Sequence, residues 1–103
     1  MEREDFIKRL TELRMNKGVS AREMSLSIGQ SEGYINNIEN GVNYPSMQTF
    51  FYICEYLGIS EKEFFDTENN DPLKTKELMM AVKELTSEQL EHLTAIAKGL
   101  QKS

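Results

Sequence analysis

A single cysteine, Cys54, leaves no partner for an internal disulfide and too few thiols for a cysteine-based metal framework. There is no tryptophan and there are only two prolines. No apolar run comes near the roughly 18 residues that a membrane-spanning helix needs, so no membrane partner is expected. The one histidine, His92, has only Glu88 and Glu91 close by in sequence, a spacing that reads as solvated surface rather than a metal site. The opening Met-Glu-Arg-Glu-Asp lacks the basic-then-apolar order of a secretion signal, and the expected location is the cytoplasm. Positive charge is also short, with 12 Lys and Arg against 17 Asp and Glu and a net charge of −5. On its face this balance argues against a nucleic-acid partner, whose phosphates usually leave a basic footprint. Within 103 residues there is room for one domain and a short appendage.

What is present is helix, punctuated by turns. Phe6, Leu10 and Leu13, with Ile7 beside Phe6, recur at i, i+4, i+7 and predict a helix over about 4–17, ended by Gly18. Ser20 with Glu23 predicts a capping box for a second helix, with Met24 and Ile28 inward and Gly29 as its stop. Ser31 is the expected cap of a third, with Ile35, Ile38 and part of Tyr34 inward and Asn40-Gly41 closing it. Pro45 keeps Tyr44 extended. Ser46 then caps a fourth helix with Met47, Phe50, Ile53, Cys54 and Leu57 on its buried face. Ser60 with Glu63 forms a second box ahead of Phe64 and Phe65 in a short fifth helix. Residues 67–72 hold no apolar side chain and read as a linker. Two more helices are predicted over about 73–85 and 87–101, with Thr86 and Gln89 as a third box. The expected class is all-α: a five-helix domain over 1–66, a linker at 67–72, and a C-terminal helical hairpin over 73–103.

Residues 21–40 carry the functional signal. Two short helices meet at Gly29 with only a turn between them, and small Ser25 lets the second approach the first closely. That combination builds a helix-turn-helix, which presents its second helix as a ridge for the major groove of DNA. The same register holds Leu13-Arg14, Gly18-Val-Ser, Glu23, Gly29, Ile35, Ile38-Glu39-Asn-Gly41, Pro45 and Leu57-Gly-Ile-Ser60. On these residues, about 6–66 resembles the Cro and lambda-repressor type of helix-turn-helix domain, the xenobiotic-response-element family of bacterial and phage regulators.

The resemblance implies a lambda-repressor-like DNA-binding domain whose recognition helix spans 31–39. By position in the motif, Ser31, Glu32, Gly33, Asn36, Asn37 and Asn40 face outward, with Gln30 at the helix start. Amides of Asn and Gln pair bidentately with adenine, and Glu accepts from the cytosine amine. Asn37 is the leading candidate for base readout, and Gly33 leaves room for close approach or a thymine methyl. Phosphates are expected at the helix starts around Ser20-Ala21-Arg22 and Ser46-Met47. Neutral hydrogen bonds come from Asn40, Asn43 and the Tyr34 or Tyr44 hydroxyls, and Arg22 and Lys17 are the cations in reach. Residues 30–46 depart from the family pattern, since they hold no Lys or Arg. Glu39 is expected to pair with Arg14 in a structural role. Glu32 is expected to stand unpaired on the DNA face.

The C-terminal segment spaces Leu78, Val82 and Leu85 by 4 and 3, and Leu90, Leu93, Ala97 and Leu100 by 3, 4 and 3, as in a coiled-coil seam. A homodimer on a palindromic double-stranded operator is the expectation, because half-sites about 34 Å apart call for a two-fold axis. The function expected is a nucleoid-associated transcriptional regulator, a repressor, with no cofactor, no metal and no catalytic constellation. The rival is an antitoxin or protein-interaction module on the same scaffold. Residues 14–46 are electrically balanced, with Arg14, Lys17 and Arg22 against Glu23, Glu32 and Glu39. The net negative charge therefore lies elsewhere, and a shallow dependence of DNA affinity on salt is expected.

Overall fold

A computed structural model describes residues 1–101, and those residues form helices and turns without a strand. Helix α1 (Arg3–Lys17) opens with a capping box in which Glu2 and Asp5 each satisfy the other's backbone amide. It closes at Gly18 in a left-handed conformation. Helix α2 (Ala21–Ser27) starts at Ser20, whose side chain accepts from the Glu23 amide. Only that half of the expected box is made: Ser20 caps the helix and the Glu23 side chain does not return the bond. Helix α3 (Tyr34–Glu39) begins three residues later than the sequence predicts. Ser31 does not cap it. Its carbonyl instead accepts from the Tyr34 amide in a tight i to i+3 turn at 3.1 Å, and Gly33 is the cap residue.

Helix α4 (Met47–Leu57) is capped by Ser46, and α5 (Glu61–Phe65) carries the full Ser60–Glu63 box. Helix α6 (Pro72–Val82) places proline in its first turn, where a missing amide hydrogen does no harm. Helix α7 (Ser87–Gln101) follows the Thr86–Gln89 box, both bonds of which are made. Helix α6 stops at Val82, short of the expected residue 85. Leu85 lies in the turn, its amide bonded to the Val82 carbonyl at 3.1 Å, because the extended entry to α7 interrupts the helix.

The chain divides into two compact units, Met1–Leu73 and a second beginning at Lys74. In the first, Leu10, Met24, Ile35, Ile38, Ile53 and Phe64 are sealed from solvent, each burial contributing about 1.5–3 kcal/mol. Phe64 lies 5.2 Å from the Phe6 ring and 5.0 Å from Phe50, the latter edge to face. The residues expected inward are buried, with Ile7 and Tyr34 half-buried, except Met47, which is 68% exposed. It occupies the first position of α4, ahead of the turn whose Thr49 and Phe50 meet the core. Ile59 is buried as well, one residue beyond the left-handed Gly58 that ends α4.

Arg9 is the residue that composition and periodicity hide. It is 2% exposed, and its guanidinium donates to the carbonyls of Phe64 (2.6 Å), Glu63 (2.8 Å) and Asp66 (2.9 Å). A cation at the end of a helix satisfies free carbonyls and complements the dipole there. Arg9 thus ties α1 to the end of α5. The 67–72 stretch is held on the same unit, through the Asn16 amide to the Asn70 carbonyl at 2.7 Å and the burial of Pro72.

Taken by itself, the second unit leaves its apolar residues open. Leu78, Leu90 and Leu100 are exposed, as are Ala97, Met79, Met80 and Ile96, while Val82, Leu85 and Leu93 are half-buried. No residue of α7 is buried.

Candidate nucleic-acid interface

The α2–turn–α3 unit is fixed by one hydroxyl. Ser25, on the inner face of α2 and fully buried, donates to the Ala21 carbonyl at 2.7 Å and accepts from the Ile35 amide at 2.9 Å. The Ile35 amide lies in the first turn of α3, where no helical carbonyl is available to it. One side chain therefore gives that amide a partner and sets the distance between the helices. The small size of Ser25 was legible in the sequence; its bond to Ile35 was not. Ser25→Ala should cost about 1–3 kcal/mol, because it fits the space but leaves a buried amide unpaired. The shift of the urea midpoint checks this. Gly29 turns the chain between the helices at φ +79°, a conformation strained for any side chain.

The far end of α3 is locked onto α1. Arg14 donates from Nε to Glu39 Oε2 at 2.8 Å and from Nη2 to Oε1 at 3.0 Å, a two-pronged pair 17% and 12% exposed. Thr11 donates to the same carboxylate at 2.9 Å, and Arg14 Nη1 to the Val19 carbonyl, also at 2.9 Å. Three elements meet in this cluster: α1, the turn before α2, and the end of α3. The structural pairing of Glu39 expected from the sequence is present.

With both ends held, α3 turns its inner face, Ile35 and Ile38, into the core and leaves Asn36 and Asn37 exposed. Asn40 and Asn43 are exposed beyond it, and the side-chain amides of these four asparagines make no hydrogen bond among the described residues. Ser31 is exposed and Gln30 and Gly33 are partly covered, all in the turn ahead of α3 rather than on it. Gly33 has φ −93°, open to any residue, and a side chain there would meet nothing within 4 Å. Tyr34 packs partly against the core.

Two expectations change at the cations. Glu32 is not unpaired: its Oε2 lies 3.1 Å from Arg22 Nε, both side chains about 70% exposed. The turn before α3 brings it back beside α2, a juxtaposition that neither helical periodicity nor the motif displays. Lys17 is drawn aside, its ammonium 4.8 Å from the centre of the Tyr56 ring on α4. Tyr44 is occupied too, edge-on to Phe6 and beneath the Arg3 guanidinium, yet 52% exposed.

Cys54 is no part of this surface. It is buried on α4, and burial first, then the charge of Glu61, pushes its thiol up from 9.0 to about 12. That removes the thiolate on which reactivity depends.

Comparison with known proteins agrees with this geometry. The helix-turn-helix domain family matches residues 7–70. The uncharacterized HTH-type transcriptional regulator y4dJ of Sinorhizobium fredii is 28% identical over 64 residues, which is 62% of this chain and 83% of the relative. Among solved structures, the restriction-modification controller protein C.AhdI from Aeromonas hydrophila is 28% identical, with a TM-score of 0.57 over 61% of this chain and 91% of its own. A structure of a SinR protein/SinI protein complex, 20% identical, shares the fold with a TM-score of 0.57 over 95% of this chain and 99% of that one. The chain belongs to the helix-turn-helix family of transcriptional regulators, of the Cro and lambda-repressor type.

Proposed function

We propose that this protein is a sequence-specific double-stranded DNA-binding repressor that reads the major groove with α3. The observation that carries the reading is the α2–turn–α3 unit: it is pinned at one end by Ser25, clamped at the other by Arg14–Glu39, and faces solvent with the unengaged amides of Asn36 and Asn37. Rigid presentation of neutral amides suits base edges, because an asparagine amide matches adenine with two hydrogen bonds. Asn40 and Asn43, with the start of α4 at Ser46–Met47, supply neutral donors for phosphates. The cytoplasm is the place for such a protein.

Asn37→Ala tests the assignment. Measured on a duplex selected by the parent protein, it should weaken binding by about 1–3 kcal/mol and relax preference at one base pair. An equal loss on all sequences would contradict a base-reading role.

The protein would act as a homodimer on a palindromic operator. The apolar residues of α6 and α7, above all Leu78, Leu90 and Leu100, are open in the single chain and suited to a second copy. The seam differs from its sequence form because Leu85 lies off the helix. A protein partner in place of DNA is the second reading, favoured by one feature: residues 30–46 carry no cation.

A further inference from the structure

Two Arg–Glu pairs flank the helix-turn-helix, and they differ in kind. Arg14–Glu39 is two-pronged, screened from water and backed by Thr11. Arg22–Glu32 is a single contact at 3.1 Å between side chains 70% and 69% exposed. A pair so exposed adds little to the stability of the fold. Its position is what matters. Arg22 is the only Lys or Arg between residues 18 and 61, so no other cation of α2, α3 or α4 can meet a phosphate. Lys17, the nearest in sequence, is engaged with Tyr56. Glu32, in the turn that opens α3, neutralises that one cation, and its place in the motif puts it, on the DNA-binding reading, toward the bases.

We propose that Arg22–Glu32 is an exchangeable ion pair that makes phosphate anchoring depend on base identity. It rests on the DNA-binding reading above. Moving Arg22 to a phosphate strands the Glu32 carboxylate in the strongly negative field of the duplex. Where a cytosine amine lies within reach, Glu32 has a donor to accept from, and both partners are satisfied in the complex. Where none does, Glu32 holds Arg22 and the phosphate contact is not made. Glu32 is then a specificity-determining residue that acts chiefly by weakening binding to wrong sequences.

Glu32→Gln tests this, with Arg22→Gln and the double variant beside it. The probes are the duplex that the parent protein selects from a random-sequence library and the unselected library itself. Both are titrated over a range of salt. Glu32→Gln should tighten binding to the unselected library about tenfold and steepen its salt dependence, as each freed Arg22 adds a phosphate contact. Binding to the selected duplex should gain less or weaken, so that the ratio between the two falls about tenfold or more. Adding Arg22→Gln should abolish the gain on the library. An unchanged ratio in Glu32→Gln, or a gain that survives Arg22→Gln, would overturn the exchange while leaving DNA binding intact. Absence of binding by the parent protein would instead overturn the DNA-binding reading, and this inference with it.

Discussion

Phe64→Ala should destabilise the first unit by about 3–5 kcal/mol, the usual loss for a sealed phenylalanine truncated to alanine. The ring is fully buried and meets Phe6, Phe50 and Phe65 at 5.0–5.2 Å, so three aromatic side chains lose a shared neighbour at once. A unit of this size holds roughly 4–11 kcal/mol in total at the usual 0.05–0.15 per residue. The variant should therefore lose about a quarter or more of the unit's stability and unfold at a markedly lower urea concentration. Urea denaturation followed by circular dichroism reads the change, and a loss below about 1 kcal/mol would contradict the packing described. The backbone carbonyl of Phe64 remains available to Arg9 in the variant. The expected loss thus belongs to the ring.

Arg14→Met should cost about 3 kcal/mol, close to the penalty for stripping one partner from a largely buried pair. Methionine keeps most of the aliphatic stem, so packing is little changed. What remains is the Glu39 carboxylate, 12% exposed and held by Thr11 alone, at the end of α3. Most of the penalty comes from this stranded charge. Glu39→Gln on the Arg14→Met background should accordingly restore part of the stability. Arg22→Met, by contrast, should change stability by less than about 1 kcal/mol, since that pair is open to water. Equal effects at Arg14 and Arg22 would contradict the distinction drawn between the two pairs.

The helical architecture could be read from the chain because its signals are local. Apolar residues at helical spacing, serine caps at Ser46 and Ser60, and the turn at Gly29 each act within a few positions, and each is where it was expected. The Arg14–Glu39 pair was accessible through the family resemblance, although 25 residues separate its members. What escaped depends on folding back over longer distances. Arg9 looks like an ordinary charged residue of α1 until α5 ends above it, 55 residues on. Glu32 looks unpaired until the turn returns it to Arg22. Ser25 looks merely small until its hydroxyl meets the Ile35 amide. The early boundary of α3 failed for a related reason: a serine three residues ahead of the helix can accept through its carbonyl as well as its side chain.

The acidic composition no longer weighs against DNA once the molecule is divided by surface. The helix-turn-helix presents neutral amides and one compensated arginine, and on the proposed reading it would hold phosphates weakly and depend on base contacts for affinity. Selection from a random-sequence duplex library by the full chain tests this account most directly. It predicts a recovered duplex bound at least about a thousandfold above competitor, built of two inverted, related half-sites with centres about 34 Å apart. A library from which no sequence is enriched would contradict it.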